Sequence, residues 1–207
     1  MARTPPKYFS MIRQFHLADF LTLANGACGL AAVLLSMRYM GSQSASHFLA
    51  ATALAPAALL FDWLDGRVAR WRHMQSPLGR ELDSLADVIS FGVAPAALGY
   101  AAGLQGGWDW IVLMYFVCCG VSRLARYNVT AETLSAGKDK VAYFEGTPIP
   151  TTVLLTGVLA LAAWQDRLGE HLYGGVWTVG PCDLHPLSFL FILSGSLMIS
   201  TIRVPKL

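Results

Sequence analysis

Four aspartates lie close together in a chain that is otherwise strongly apolar: Asp62, Asp65, Asp83 and Asp87. They form the pattern D-x2-D-G-x2-A-R-x8-G-x3-D-x3-D. An ionised carboxylate inside a bilayer costs at least a few kcal/mol, so four of them near the ends of apolar segments need strong positive compensation. Divalent metal ions are the simplest source of that charge.

The spacing of the first two acids predicts that they share one face of a helix. At about 100° per residue, Asp62 and Asp65 lie about 60° apart, and Gly66 and Ala69 fall beside them. Residues with little or no side chain next to the acids let a bulky ligand approach the backbone closely.

The second pair predicts a matching stripe on another helix. Gly79, Asp83 and Asp87 follow one another at intervals of four residues, which keeps them on nearly the same face. Two such stripes facing each other form a cage of carboxylate oxygens. That donor set favours Mg²⁺ or Mn²⁺ over zinc.

Two other interpretations of the acids remain open. They can pair with nearby arginines in a solvated loop, or they can line the path of a cation channel or transporter. A transporter usually places its charges near the bilayer midplane, whereas these acids lie at helix ends beside a basic loop. The arginines of the first alternative are Arg67, Arg70, Arg72 and Arg80.

Composition predicts the kind of protein that holds this cage. Of the 207 residues, 55% are hydrophobic and only 14% are charged, so residues 1–207 form a single membrane domain. The fold class is an all-α integral membrane protein with six transmembrane helices within residues 18–207. A net charge of +2 gives no indication of nucleic-acid binding. The predicted spans are 18–38, 46–65, 84–105, 108–126, 149–165 and 185–202.

Charge distribution predicts the orientation. Residues 1–17 mix aromatic and aliphatic side chains with basic ones and are expected to form an amphipathic helix on the membrane surface. Of the 15 lysines and arginines, all but Arg38 and Arg167 fall on one side of the predicted bundle. Both termini and the aspartates are therefore expected on the cytoplasmic side of a bacterial-type inner membrane.

The acidic motif resembles, at every position, that of the CDP-alcohol phosphotransferases. Residues 79–95, 123–128 and 143–150 also resemble the membrane-integral phosphatidylserine-forming branch of that family. One departure occurs at the start of the first span, where family members often carry Pro-Asn and this chain has Ala18-Asp19.

This resemblance implies a reaction and roles for the acids. A phosphatidyl group would move from CDP-diacylglycerol to the hydroxyl of L-serine, releasing CMP, in a protein that forms a homodimer among membrane lipids. Asp62, Asp65 and Asp83 would bind one cation, and Asp62, Asp83 and Asp87 the second. Asp87 is also the implied general base, a role that competes with pure metal ligation.

The resemblance further implies where the substrates bind. CDP-lipid binding is assigned to small residues that admit the nucleotide and to polar residues around its phosphates, whereas two arginines bind the serine carboxylate. Sister enzymes that use glycerol phosphate, inositol phosphate or an archaeal-type lipid donor remain alternatives. The CDP-lipid residues are Thr22, Asn25, Gly66, Ala69, Arg70, Ser76 and Gly79, and the serine residues are Arg123 and Arg126.

Overall fold

The computed structural model describes residues 17–71, 77–136 and 143–205. This part of the chain is mostly helical. The helices are α1 (Leu17–Ser42), α2 (Ala45–Trp71), α3 (Pro77–Asp87), a π-helical segment (Val88–Val93), α4 (Ala94–Ala102), α5 (Gly107–Ala136), α6 (Val153–Trp164) and α7 (Ser188–Ile199), with short 3-10 turns at Ile149–Thr152 and Gly169–His171.

Helix α1 has the inside-out polarity of a membrane segment. Its outer face carries exposed Phe20, Leu30 and Leu34, whereas its inner face is made of small and polar residues. Lipid offers no hydrophobic drive for helices to associate, so close contact depends on small residues and on hydrogen bonds. Helix α1 packs mainly against α2 and then against α3, α4 and the π-helical segment. Its buried residues are Asp19, Thr22, Asn25, Gly29, Ala32, Ser36 and Tyr39.

Helix α3, the π-helical segment and α4 run on without a break, which makes a single span of Leu78–Ala102. The predicted span of 84–105 began too late. Arg80 and Glu81 lower the hydropathy of the first turns, although the backbone there is already helical. The π-helical turn was not predicted from the sequence. In this turn the Ala94 N–H bonds to the Ile89 carbonyl five residues back.

Within the described residues, four helices are long and apolar enough to cross a membrane: Leu17–Ser42, Ala45–Val68, Leu78–Ala102 and Gly107–Thr130. These helices indicate that the chain is an integral membrane protein. The last two predicted spans correspond to the shorter apolar helices Ile149–Trp164 and Ser188–Ile199. The 12 residues of α7 rise only about 18 Å, against a hydrocarbon core of about 30 Å. The predicted surface helix lies outside the described residues except for Leu17.

The described residues also contain two small antiparallel sheets, which the sequence analysis did not predict. Strand β1 (Tyr143–Glu145) pairs with β4 (Arg203–Pro205), and β2 (Trp177–Val179) pairs with β3 (Cys182–Leu184). Each strand has three residues, too few for an alternating pattern to stand out.

The β2–β3 hairpin is fixed to the first turn of α5, at the end of the bundle opposite the aspartates. The Trp108 Nε1–H donates to the Val179 carbonyl at 2.8 Å. Asp109 is fully buried, accepts the Gly106 N–H at 2.9 Å, and lies 2.6 Å from His185 Nδ1. These contacts tie the connection between α4 and α5 to the segment that follows β3. We call this part of the molecule the closed end.

Candidate active site

The two acidic stripes meet between α2 and α3. Asp62 projects from α2, and Asp83 and Asp87 project from α3. One carboxylate oxygen of each lies within 4.8 Å of the others. The structure thus brings together three of the four aspartates that the spacing placed on facing helices.

Asp65 lies beside this group, and α1 holds it. The Thr22 hydroxyl donates to Asp65 Oδ2 at 2.7 Å, and both side chains are buried. Asp65 also lies close enough to Asp62 and Asp83 for their charges to interact. Thr22 therefore contacts an acid of the site directly, and its predicted contact with the CDP-lipid stays a prediction.

Asp87 is the most enclosed acid of the three and is held from two sides. The Asn25 side-chain amide donates to Asp87 Oδ1 at 3.0 Å. Arg123 of α5 lies within electrostatic range of the same carboxylate. One oxygen of Asp87 is thus oriented by α1, and the positively charged side chain of Arg123 on α5 lies near the same carboxylate.

The donor set fits a hard divalent cation. Among the described residues, Asp83 Oδ1 is buried and has no hydrogen-bond partner, and the same is true of Asn25 Oδ1. A carboxylate oxygen left unpaired in a dry site is costly, and several acids close together repel one another. A cation bound by these oxygens would remove both penalties. With oxygen donors alone, the cluster suits Mg²⁺ or Mn²⁺ better than zinc.

The arginines near the acids are only partly described. The Arg67 guanidinium lies 4.8 Å from the centroid of the Trp63 ring, in a cation–π contact at the surface of α2. Ser76 and the side chains of Ala69 and Arg70 lie outside the described residues, so their predicted contacts with the CDP-lipid stay predictions. Gly66 and Gly79, the other small residues of the motif, are half-buried on α2 and α3.

The two predicted serine-binding arginines occupy different environments. Arg123 is half-buried, and its Nε atom is enclosed with no hydrogen-bond partner among the described residues. Arg126 is exposed on α5. Of the two, Arg123 is the one placed beside the acids.

A polar cluster between α3 and α5 was missing from the sequence analysis. The Asn128 amide donates to Ser84 Oγ at 3.0 Å and lies 3.4 Å from a Glu81 carboxylate oxygen. Asp19 was also missed as a site residue, although it is buried on α1 near Asp65. The signal in the sequence was its position three residues before Thr22, which places both residues on the same face of α1.

Comparison with known proteins agrees with this geometry. The family model of the CDP-alcohol phosphatidyltransferases matches residues 15–185. The chain is 40% identical to the CDP-diacylglycerol--serine O-phosphatidyltransferase of Saccharomyces cerevisiae over 205 residues, covering 96% of this chain and 74% of that protein.

Two further relatives come from other lineages. The enzyme of the same name from Mycobacterium tuberculosis (strain H37Rv) is 35% identical over 92% of this chain and 61% of its own length. The archaetidylserine synthase of Methanothermobacter thermautotrophicus is 35% identical over 92% of this chain and 70% of its own length. With the family model covering most of the chain and an acidic site formed by the residues of its motif, this chain belongs to the CDP-alcohol phosphatidyltransferase family.

Proposed function

We propose that this chain transfers a phosphatidyl group from CDP-diacylglycerol to the hydroxyl of L-serine and releases CMP. The observation that carries the proposal is the group of Asp62, Asp83 and Asp87, with Arg123 beside it. Carboxylates that suit a metal serve the diphosphate donor, and a guanidinium serves the carboxylate of the acceptor. The relatives named for serine support the choice of acceptor.

The acids are the residues that would hold divalent cations beside the reacting diphosphate. Asp62, Asp83 and Asp87, with Asp65 beside them, would bind two Mg²⁺ or Mn²⁺ ions. When bound, such ions neutralise phosphate oxygens and stabilise the charge on a leaving group such as CMP. The small residues Gly66, Ala69 and Gly79 leave room for the cytidine, and Arg70 and Ser76 contact its phosphates.

In the transfer itself, the serine oxygen bonds to the lipid-side phosphorus while the bond from that phosphorus to the CMP oxygen breaks. The hydroxyl proton goes to a carboxylate oxygen of Asp87, the acid that Asn25 orients. Asp87 thus combines the roles of base and metal ligand in this proposal.

The acceptor site lies along α3 and α5. The Arg123 guanidinium pairs with the serine carboxylate, for which its planar fork is suited. Serine also carries an ammonium group. The oxygens of Ser84, Asn128 and Glu81, which lie together between α3 and α5, are available to accept hydrogen bonds from it. A zwitterion therefore meets both signs of charge, whereas an acceptor bearing a phosphate would meet an anion at Glu81.

The proposal includes the arrangement in the membrane. Residues 1–207 form one domain with six membrane-crossing helices and a surface helix over residues 1–17. Both termini and the aspartates face the cytoplasm, the membrane is a bacterial-type inner membrane, and the chain forms a homodimer. The basic residues on the side of the acids support the orientation.

A panel of acceptors tests the function. Purified protein is given Mn²⁺ and CDP-diacylglycerol with radiolabelled serine, glycerol 3-phosphate or inositol 1-phosphate, and the lipid fraction is counted. We expect label in lipid from serine alone, and none from serine with an Asp62→Asn variant. A second arm replaces the donor by its archaeal ether-lipid analogue, because one relative is an archaetidylserine synthase. Label from a phosphate-bearing acceptor would overturn the assignment.

Thiol labelling tests the orientation. In a variant without its native cysteines, Gln75→Cys and Ala136→Cys are expected to resist a membrane-impermeant thiol reagent in intact cells. Gln105→Cys is expected to react, because Gln105 is exposed at the end of the bundle opposite the acids. The reverse pattern would place the acids outside the cell.

A further inference from the structure

The turn that follows Asp87 is π-helical, and two hydroxyl side chains from outside the acidic motif fix it. The turn spans Val88–Val93, and a bond from the Ala94 N–H to the Ile89 carbonyl marks its wider winding. A π-helical turn holds an extra residue compared with an α-helical one. The direction in which the Asp87 side chain projects, relative to α4, therefore depends on this π-helical turn being maintained.

The first fixed point joins the turn to α1. The Ser90 hydroxyl donates to the Asn25 carbonyl oxygen at 2.8 Å, and both residues are almost fully buried. The backbones approach so closely here that a methyl group added at Gly29 would lie 2.6 Å from Ser90 Cα. Ser90 thus bonds to the main chain of the residue whose side chain holds Asp87.

The second fixed point joins the turn to the start of α6. The Thr152 hydroxyl donates to the Phe91 carbonyl oxygen at 2.8 Å, and both residues are fully buried. A carbonyl buried in an apolar bundle is costly when unpaired, and Pro95, four residues after Phe91, has no N–H to donate to it. The Thr152 hydroxyl therefore supplies a partner to a carbonyl of the π-helical turn that a regular helix would leave unpaired.

We propose that Ser90 and Thr152 are positioning residues of the transfer reaction: they hold the π-helical turn so that Asp87 and Asn25 stay in register with Asp62 and Asp83. This inference rests on the proposed function, because it assigns Asp87 to the cation site. Neither hydroxyl belongs to the group of acids, and each acts through the backbone.

Matched threonine variants test the proposal, one at the residue before α6 and one on α6. Thr152→Val removes the hydroxyl that reaches the π-helical turn, and Thr152→Ser retains it. Thr156→Val is the control, because Thr156 is equally buried one turn later and donates only to Val153 of its own helix. Ser90→Ala removes the other fixed point by deleting a single oxygen atom and introduces no apolar group in place of the hydroxyl, so it decides the question if Thr152→Val does not fold.

The first measurement is Mn²⁺ affinity by electron paramagnetic resonance, without substrates. Groups that orient metal ligands typically change affinity or activity about 10- to 100-fold when removed. We expect about tenfold weaker Mn²⁺ binding for Thr152→Val and Ser90→Ala. Thr152→Ser and Thr156→Val should stay within about twofold of the parent.

The second measurement separates kcat from KM. Displacement of a catalytic group by a small distance costs up to about 100-fold in rate. We expect kcat to fall at least tenfold in Thr152→Val and Ser90→Ala, with about threefold or smaller changes in the KM of both substrates. Thr152→Ser should restore kcat.

The outcomes distinguish this inference from the proposed function. If the parent protein binds Mn²⁺ but does not use serine, the assigned reaction fails while the Mn²⁺ titration still tests Ser90 and Thr152. The positioning role is wrong if Ser90→Ala and folded Thr152→Val keep the parent's Mn²⁺ affinity and kcat. It is also wrong if Thr156→Val loses as much as Thr152→Val.

Discussion

An Asp83→Asn variant is expected to lose two to three orders of magnitude in turnover, on the order of the loss seen when a group that stabilises transition-state charge is removed. Asp83 Oδ1 is buried and unpaired among the described residues, and it belongs to the group that includes Asp62 and Asp87. The amide supplies neither the charge nor the second hard oxygen of the carboxylate. Removal of divalent cations with EDTA should abolish the activity of the parent protein in the same way.

Thermal unfolding provides a separate measurement of the same site. Without cations, Asp83→Asn should be at least as stable as the parent, because one of several repelling charges is gone. Added Mn²⁺ should raise the Tm of the parent more than that of the variant, since a ligand that binds only the folded state stabilises it. Asp183→Asn is the matched control, because Asp183 is exposed on the hairpin at the far end. Near-normal turnover of folded Asp83→Asn, or of EDTA-treated protein, would contradict the metal site.

The second large effect is expected at Arg123. Lysine at this position keeps the charge but loses the planar, two-point contact with a carboxylate. Hydrogen bonds to charged groups contribute about 1.5–3 kcal/mol, so the serine KM of Arg123→Lys should rise roughly 10- to 100-fold. The KM for CDP-diacylglycerol should change much less, because the donor is proposed to bind at Arg70 and the acids.

Arg126→Lys is the matched control for this prediction. Arg126 lies three residues further along α5 and is exposed, so its replacement should leave the serine KM within about twofold. Arg70→Lys should show the opposite pattern, with a raised KM for the donor. Unchanged serine kinetics in Arg123→Lys would remove this residue from the acceptor site, and a larger effect at Arg126 would exchange the two roles.

The helices and the meeting of the acids were predictable because both follow from simple periodicities. Long apolar runs gave α1, α2 and α5 to within a few residues at the N-terminal end of each helix, and the spacing of the aspartates placed Asp83 and Asp87 on one face. The ends toward the acids were predicted too short in α2 and α5, since charged residues there continue the helix beyond the apolar run.

The parts that escaped prediction depend on contacts between distant residues. Pro95 lacks the N–H that would bond to the Phe91 carbonyl, so the sequence does indicate an irregular turn near Val88–Val93. Its π-helical form could not be predicted, since the turn also makes contacts with α1 and with the residue before α6. The bond from Thr22 to Asp65 likewise joins positions 43 residues apart. Thr22 and Asn25 were predicted to contact the CDP-lipid, and that contact stays a prediction. Their hydrogen bonds to Asp65 and Asp87 were not predicted.

The closed end formed by the hairpin and the Asp109–His185 pair affects how ions and substrates can reach the acids. Between that end and the acids lies a core that includes the fully buried rings of Phe48, Phe91, Phe116 and Phe191. Among the described residues this apolar core separates the acids from the closed end, so we expect ions and water-soluble reactants to reach the carboxylates and to leave them from one side only. Vesicles containing the protein should accordingly hold a Mn²⁺ gradient as well as vesicles without it.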